Sequence, residues 1–502
     1  MSVANQNEQR FSSRLGLILS VLGIAVGTGN IWRFPRIAAT NGGAEGAGAF
    51  LVAWIVFLLV WSVPLIIAEY ALGRHSRMGV VGTFAKTVGE RFGWMGAFVG
   101  LVATAIMFYY AAIVGWCIYY FGRMVVAPLP ATSEAARGIW DAFQGGLWPV
   151  LFLALAVGAG GFIVWRGVNS IERANKVLIP TLVAVVLVAV VRAVTLPGAG
   201  EGVSFLFTPQ WDLLSEPTLW VNALAQNAWD TGAGWGLILT YGAYMQEKHG
   251  IVQNAFITGV GNNCISLLAG IIVFGTVFAV LGAEMPRAEV LEVMKDSGPA
   301  GTGLTFIWMP RLFAEMPLGR LFAILFFLGL MFAAFSSLFS MIELASRILV
   351  DLGWRRPTAV GSMAGGGFLL GLPSALSTQF LANQDYVWGV ALIISGGFVA
   401  FAVVRYGARR LRRDLMRGSP GDWDPGGGWD ALIGALVPAQ AVALVGWFLY
   451  GIYDASGAAR WNPFELGALA NFLMQWGLAL IVLVAANGWL VRRTLAGETR
   501  EA

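Results

Sequence analysis

Charge is scarce in this chain. Only 12% of its 502 residues are Asp, Glu, Lys or Arg, while 57% are hydrophobic. Soluble domains carry about 25% charged residues, so a polytopic, all-α membrane protein is the reading that fits. Histidine and cysteine are rarer still, with two of each. His75 and His249 fall in loops far apart in sequence, and Cys117 and Cys264 lie in apolar stretches. That excludes a disulfide framework and leaves no cysteine or histidine metal site. There is no basic leader followed by a cleavage site, so the first apolar segment is expected to be retained. The net charge of +4 belongs to membrane topology rather than to nucleic acid, which is not an expected partner.

Long apolar runs are what the chain has in abundance. A bilayer span needs roughly 20 such residues. Twelve segments qualify, at about 15–37, 47–72, 95–125, 147–165, 174–195, 218–245, 252–282, 319–350, 358–373, 385–406, 431–453 and 467–490. An even number puts both termini on one side. Arg74, Arg77, Lys86 and Arg91 follow span two, and Arg166, Arg173 and Lys176 follow span four. Arg355 and Arg356 follow span eight, RYGARRLRRDLMR closes span ten, and Arg492 and Arg493 stand in the tail. The alternate loops hold few basic residues, so both termini are expected in the cytoplasm of a multi-pass inner (plasma) membrane protein surrounded by lipid. The run from Arg405 to Arg417 reads as a solvated loop or a lipid-headgroup site. The segment from Glu284 to Gly319 is long enough to be functional or packed on itself.

Polar residues inside spans are costly and ask for a reason. Span one carries AVGTGNIWRFP, with Gly23, Gly27, Gly29, Asn30 and Arg33; span six carries QNAWDTGAGWG, with Gln226, Asn227, Asp230 and Thr231 beside Gly232, Gly234 and Gly236. Glycines in a span also serve close helix packing, and either stretch alone fits that. Together they stand five spans apart, each opening a block of five, which points to two discontinuous helices in an inverted repeat. Unwound backbone at that depth is tolerated where it lines a cavity or a ligand. Span one is therefore expected to expose carbonyls and amides to a solute and a cation. Span seven adds Asn262, Asn263 and Ser266, span eight Ser336, Ser337 and Glu343, span three Tyr109 and Tyr110, and span ten begins at Asp385. These are hard oxygen donors suited to a small cation. Ser336 and Ser337 could equally bond back to their own helix.

RLGLILSVLGIAVGTGNIWRFP, PLIIAEYALGR, GVNSIERANKVLIPTL, QNAWDTGAGWG, FAAFSS and QDYVWG together resemble the signatures of the neurotransmitter:sodium symporter family, bacterial branch. The resemblance covers nearly the whole chain. It implies a leucine-transporter-like fold, with five-helix repeats at 15–195 and 218–406. Around them would lie a cytoplasmic segment (1–14), a basic loop (407–430), two added helices (431–490) and a tail (491–502). It also implies sodium-driven import of an amino acid, with two sodium ions bound.

Carried over by position, the first sodium would meet Ala25, Asn30, Asp230, Asn262 and the substrate carboxylate. The second would meet Gly23, Val26, Ala333, Ser336 and Ser337. The substrate would lie among Ala25, Thr28, Gly29, Ile106, Tyr110, Trp229, Gly232, Trp235, Ser337 and Met341. Arg33 and Asp385 resemble an outer gate with Trp229 as lid, and Tyr244, Glu343 and Asp351 fall at inner-gate positions. Where amine transporters of the family carry aspartate, this chain has Gly27, which implies a substrate with its own carboxylate. Gly232 enlarges the pocket while Trp235 and Met341 reduce it, so side-chain size stays open, with a weak preference for a hydrophobic one.

Departures from the family pattern are informative. NGGGAF is expanded to NGGAEGAGAF, and an N-terminal arginine–tryptophan lock against Asp351 is replaced by Glu8 and Phe11, with Arg10 displaced. The anion that some members take as chloride is supplied in others by a carboxylate at one of two positions. Here those are Ser266 and Asp230, so chloride independence is expected. Asp230 could instead be a cation ligand only, or a proton carrier. Another zwitterionic solute or osmolyte remains the nearest alternative. A channel would show pore-lining rings from repeated spans, and an enzyme a nucleophile–base pair or metal motif; neither pattern is in the sequence.

Overall fold

The computed structural model describes residues 10–295, 301–416 and 421–499, and helices make up almost all of its regular structure. Glu8, Arg417 and part of the GPAGTG stretch lie outside the described residues. Among the described residues ten helices are long and apolar enough to cross a membrane: Gly48–Ser76, Glu90–Val126, Trp148–Trp165, Val168–Val194, Val252–Leu281, Gly319–Asp351, Arg356–Leu376, Thr378–Tyr406, Gly426–Ala455 and Leu469–Gly497. They correspond to spans two to five and seven to twelve. Span one is a bent pair, Arg14–Ala25 and Gly29–Thr40, turning by 48° at the break.

Span six is in two pieces, Pro217–Thr231 and Leu237–Ala243. Neither piece reaches the length of a span. Length and composition therefore account for up to eleven crossings, not the expected twelve. Span ten also differs from its expected start. The Ser377 hydroxyl accepts from Phe380 N at 3.2 Å and caps a helix that begins at Thr378. A serine cap starts a helix by satisfying its orphan amides, and Asp385 consequently sits two turns inside it.

Proline shapes several helices in one recurring way. Widened turns at Gly29–Arg33, Leu58–Ser62, Leu304–Trp308 and Leu432–Leu436 each run into a proline at the second residue of the next segment: Pro35, Pro64, Pro310 and Pro438. Proline lacks the amide hydrogen and crowds the carbonyl one turn back, and a wider turn accommodates both defects.

Span three lies at the centre, packed along span eight. Its apolar window is 83% buried, against 22% for spans eleven and twelve. Val442 and Ile481 stay exposed on those last two helices, as apolar side chains facing acyl tails would. The long segment after span seven packs on the bundle: Trp32 Nε1 donates to Gly301 O at 2.8 Å, and Phe306 meets Trp116, Tyr120 and Trp140. The expanded NGGAEGAGAF stretch is tied down as well, with Ala47 N on Phe205 O at 2.8 Å and Gly48 N on Thr208 O at 2.9 Å. In the basic run, Arg412 forks onto Asp430 at 2.9 and 3.0 Å, and Arg410 and Arg413 both meet Asp414. Part of that charge is thus neutralised within the protein.

Candidate functional site

The break in span one begins where Val26 leaves helical geometry, at φ −81° and ψ 85°. The freed Gly27 N donates to Asn30 Oδ1 at 2.8 Å and Ala25 O at 3.0 Å. Thr28 turns its amide and hydroxyl to Tyr110 Oη, at 3.4 and 3.2 Å. In span six, Gly232, Gly234 and Gly236 have φ of 69°, 86° and 77°, a conformation glycine adopts without a side-chain penalty. Gly236 N is captured by the buried Glu69 carboxylate at 2.8 Å. Both breaks open toward the same interior volume.

At their junction oxygen atoms crowd together. One terminal atom of the Asn262 amide stands 3.0 Å from Ala25 O and 3.1 Å from Asp230 O. Because Asn30 Oδ1 accepts from Gly27 N, the other end of that amide is the NH2, and it lies 2.7 Å from the Asn262 atom. As an oxygen that atom accepts from Asn30, and as an NH2 it donates to the carbonyls of Ala25 and Asp230. With the amide oxygen turned in, it joins the carbonyls of Ala25 and Asp230 as a set of hard donors that a small cation would take. Asn30 reaches the cluster with its nitrogen, its oxygen being turned to Gly27.

The Asp230 carboxylate lies beside this cluster, 2% exposed. Gln226 Nε2 donates to both its oxygens at 2.8 Å and Ser266 Oγ to Oδ2 at 3.2 Å. Ser266 in turn accepts from Asn30 Nδ2 at 2.7 Å, so Asn30, Ser266 and Asp230 form one chain. Of the second expected cation set, Gly23 and Ser337 are brought together across helices, and among the described residues no such contact joins Val26 to them. Ser337 Oγ is 3.3 Å from the carbonyls of Gly23 and Ile24, whereas Ser336 Oγ bonds back to Ala333 O at 2.9 Å. Of the two serines, one crosses between helices and one satisfies its own. No group of three or more His, Cys, Asp or Glu poised for a metal occurs among the described residues.

A cavity of about 320 Å³ joins these elements, lined by Ala25, Gly27 to Asn30, Tyr110, Trp229, Asp230, Gly232, Trp235, Ser337 and Met341. Ile24 and Leu237 also line it, two aliphatic residues the sequence reading did not single out. Ile106 does not: it is buried on span three one turn before Tyr110, outside the lining. Trp229 and Trp235 meet edge to face, 5.2 Å between centroids.

Arg33 and Asp385 form no direct ion pair. Asp385 accepts from Tyr109 Oη at 3.1 Å, and the Arg33 guanidinium lies over the Trp229 ring at 5.2 Å. Arg33 thus covers Trp229, which lines the cavity, and Asp385 is tied to Tyr109, the neighbour of the cavity-lining Tyr110. Arg33→Ala is expected to leave the melting temperature nearly unchanged while lowering transport by about tenfold, a loss of about 1.4 kcal/mol. Normal transport by a well-expressed variant would remove Arg33 from the gate.

At the opposite end, Tyr244 Oη donates to Glu343 at 2.5 Å, and Glu343 also takes a forked contact from Arg356. Asp351 is held by Arg347 Nε at 2.7 Å and Gly79 N at 2.7 Å. A cation from its own helix therefore engages it. Phe11 closes from below, its N on Tyr244 O at 3.1 Å and its ring against Tyr241.

A multi-pass helical bundle with two broken helices converging on a cavity lined by backbone and polar side chains is the architecture of a membrane transporter. The chain belongs to the Sodium:neurotransmitter symporter family, whose model matches residues 8–141 and 143–494. An uncharacterized sodium-dependent transporter of Methanocaldococcus jannaschii is 33% identical over 358 residues, 68% of this chain and 70% of that protein. The sodium-dependent serotonin transporter of Drosophila melanogaster is 30% identical over 471 residues, 83% of this chain and 72% of that one. The crystal structure of MhsT in complex with L-phenylalanine matches with a TM-score of 0.75 and 28% identity, covering 87% of this chain and 99% of that chain. Sodium-coupled transport is the activity these findings support.

Proposed function

We propose that the protein imports a neutral α-amino acid by alternating access, driven by two sodium ions and independent of chloride. It works as a carrier with no covalent step, as a twelve-span protein of the plasma membrane with both termini in the cytoplasm. Spans one to five and six to ten form its inverted repeats. The observation that carries this reading is the corner where the Ala25 and Asp230 carbonyls meet the Asn262 amide at the edge of the cavity. A substrate carboxylate placed against the backbone at Gly29 would reach the same corner and complete the cation's shell. The L-phenylalanine held by the MhsT neighbour supports a carboxylate-bearing, hydrophobic solute. The serotonin-transporting relative favours an amine instead, and Gly27 speaks against it because it brings no carboxylate to meet a lone ammonium. Binding of L-phenylalanine and of phenethylamine to the purified protein, each with and without sodium, tests the reading. Sodium-dependent binding of the amino acid alone is expected; equal binding of the amine would overturn the substrate class.

A further inference from the structure

Span five carries a buried amide that nothing so far uses. Asn175 is fully buried, and neither its Oδ1 nor its Nδ2 has a hydrogen-bond partner among the described residues. An orphaned buried amide is uncommon and asks for an unplaced water or ion. Its position is specific. A Cβ built on Gly23 would lie 3.2 Å from Asn175 Oδ1 and 3.1 Å from Ser336 Cβ. Asn175, Gly23 and Ser336 thus abut where spans one, five and eight meet. Ser20, one turn before Gly23, is also buried with an unpartnered hydroxyl. Apolar packing would have filled that seam with methyl groups; here it holds an amide and a hydroxyl.

We infer that Asn175 belongs to the second cation site and sets its affinity from the cytoplasmic side. The inference rests on the sodium-coupled reading above. Gly23, Ser336 and Ser337 present carbonyl and hydroxyl oxygens on one side of the seam. Asn175 Oδ1 adds a neutral hard oxygen behind Gly23, the donor type that suits sodium. An amide, unlike a carboxylate, adds no charge, so it attracts the ion without trapping it. The chain enters the bundle from the Ser12 and Glu172 end, where Ser12 N donates to Glu172 at 2.7 Å. Asn175 lies one turn above Glu172 on the same helix, between that end and the cation site.

Asn175→Leu keeps the volume and removes both polar atoms. The full-length protein is titrated with sodium alone, at ionic strength balanced by choline, and its melting temperature is followed. The variant is expected to need about fivefold more sodium for half-maximal stabilisation, as loss of one oxygen contact to a charged group implies. Its melting temperature without sodium should equal or exceed that of the wild type, because the orphaned amide is gone. Asn175→Asp should shift the midpoint the other way. Superimposable titrations for wild type and Asn175→Leu would overturn the inference and leave the sodium reading intact. No sodium response in the wild type would overturn both. If the leucine variant fails to fold, Asn175→Ala is held to the same criterion.

Discussion

Replacing Asp230 with serine is expected to make uptake depend on chloride. In the proposed mechanism two sodium ions and a zwitterion concentrate positive charge in a low-dielectric cavity, where an uncompensated charge costs several kcal/mol. Asp230 in its ionised form would supply a fixed negative charge there, its carboxylate held by Gln226 and Ser266. Wild-type uptake should then be equal in chloride and gluconate. Asp230→Ser should lose about tenfold or more in gluconate, where about 1.4 kcal/mol already gives that factor, and recover in chloride. The freed volume beside Gln226, Ser266 and Asn30 would offer donors to the halide. Equal inactivity in both media would mean that Asp230 is a cation ligand only. Alkalinisation inside vesicles that requires Asp230 would make it a proton carrier instead.

Gly27→Asp should convert the substrate class. A Cβ at Gly27 would lie 2.9 Å from Ser337 Oγ and 3.4 Å from Tyr110 Oη. Both contacts are hydroxyls, and the serine can rotate away. The new carboxylate would then stand where the substrate's own carboxylate is proposed to bind. Two like charges so close in a dry cavity repel strongly, and one is driven out. L-Phenylalanine affinity should fall by about a hundredfold, or about 2.7 kcal/mol, while phenethylamine affinity rises. Parallel losses for both ligands would show steric damage and contradict the assignment.

The two helix breaks were legible in sequence because glycine beside Asn, Asp or Gln is so out of place in a span. Their neighbours were legible for the same reason: Asn262, Ser266, Ser337 and Tyr110 are polar groups where lipid offers no partner. Ile24 and Leu237 were not, since an aliphatic residue in an apolar run looks alike whether it faces a cavity or a helix. Ile106 fell outside the lining by its rotation on span three, which periodicity in an all-apolar helix does not fix. The start of span ten was misread because QFLANQD looks polar; the Ser377 cap and the packing of Leu381 carry the helix through it. Span six fell short of a countable crossing because three left-handed glycines divide it. The pairing of Asp351 with Arg347 needed the turn-by-turn geometry of span eight. Asn175 sits in ANKVLIP, where an amide next to lysine reads as a helix end at the membrane surface. Only the three-dimensional seam shows that it is buried.

Uptake into proteoliposomes tests the central claim most directly. Purified protein is reconstituted, loaded with potassium, and diluted into radiolabelled L-phenylalanine in external sodium or in external potassium. The account predicts accumulation above the external concentration only under the inward sodium gradient, collapsing when a sodium ionophore dissipates it. Equilibration to the external concentration at the same rate in both media would contradict it.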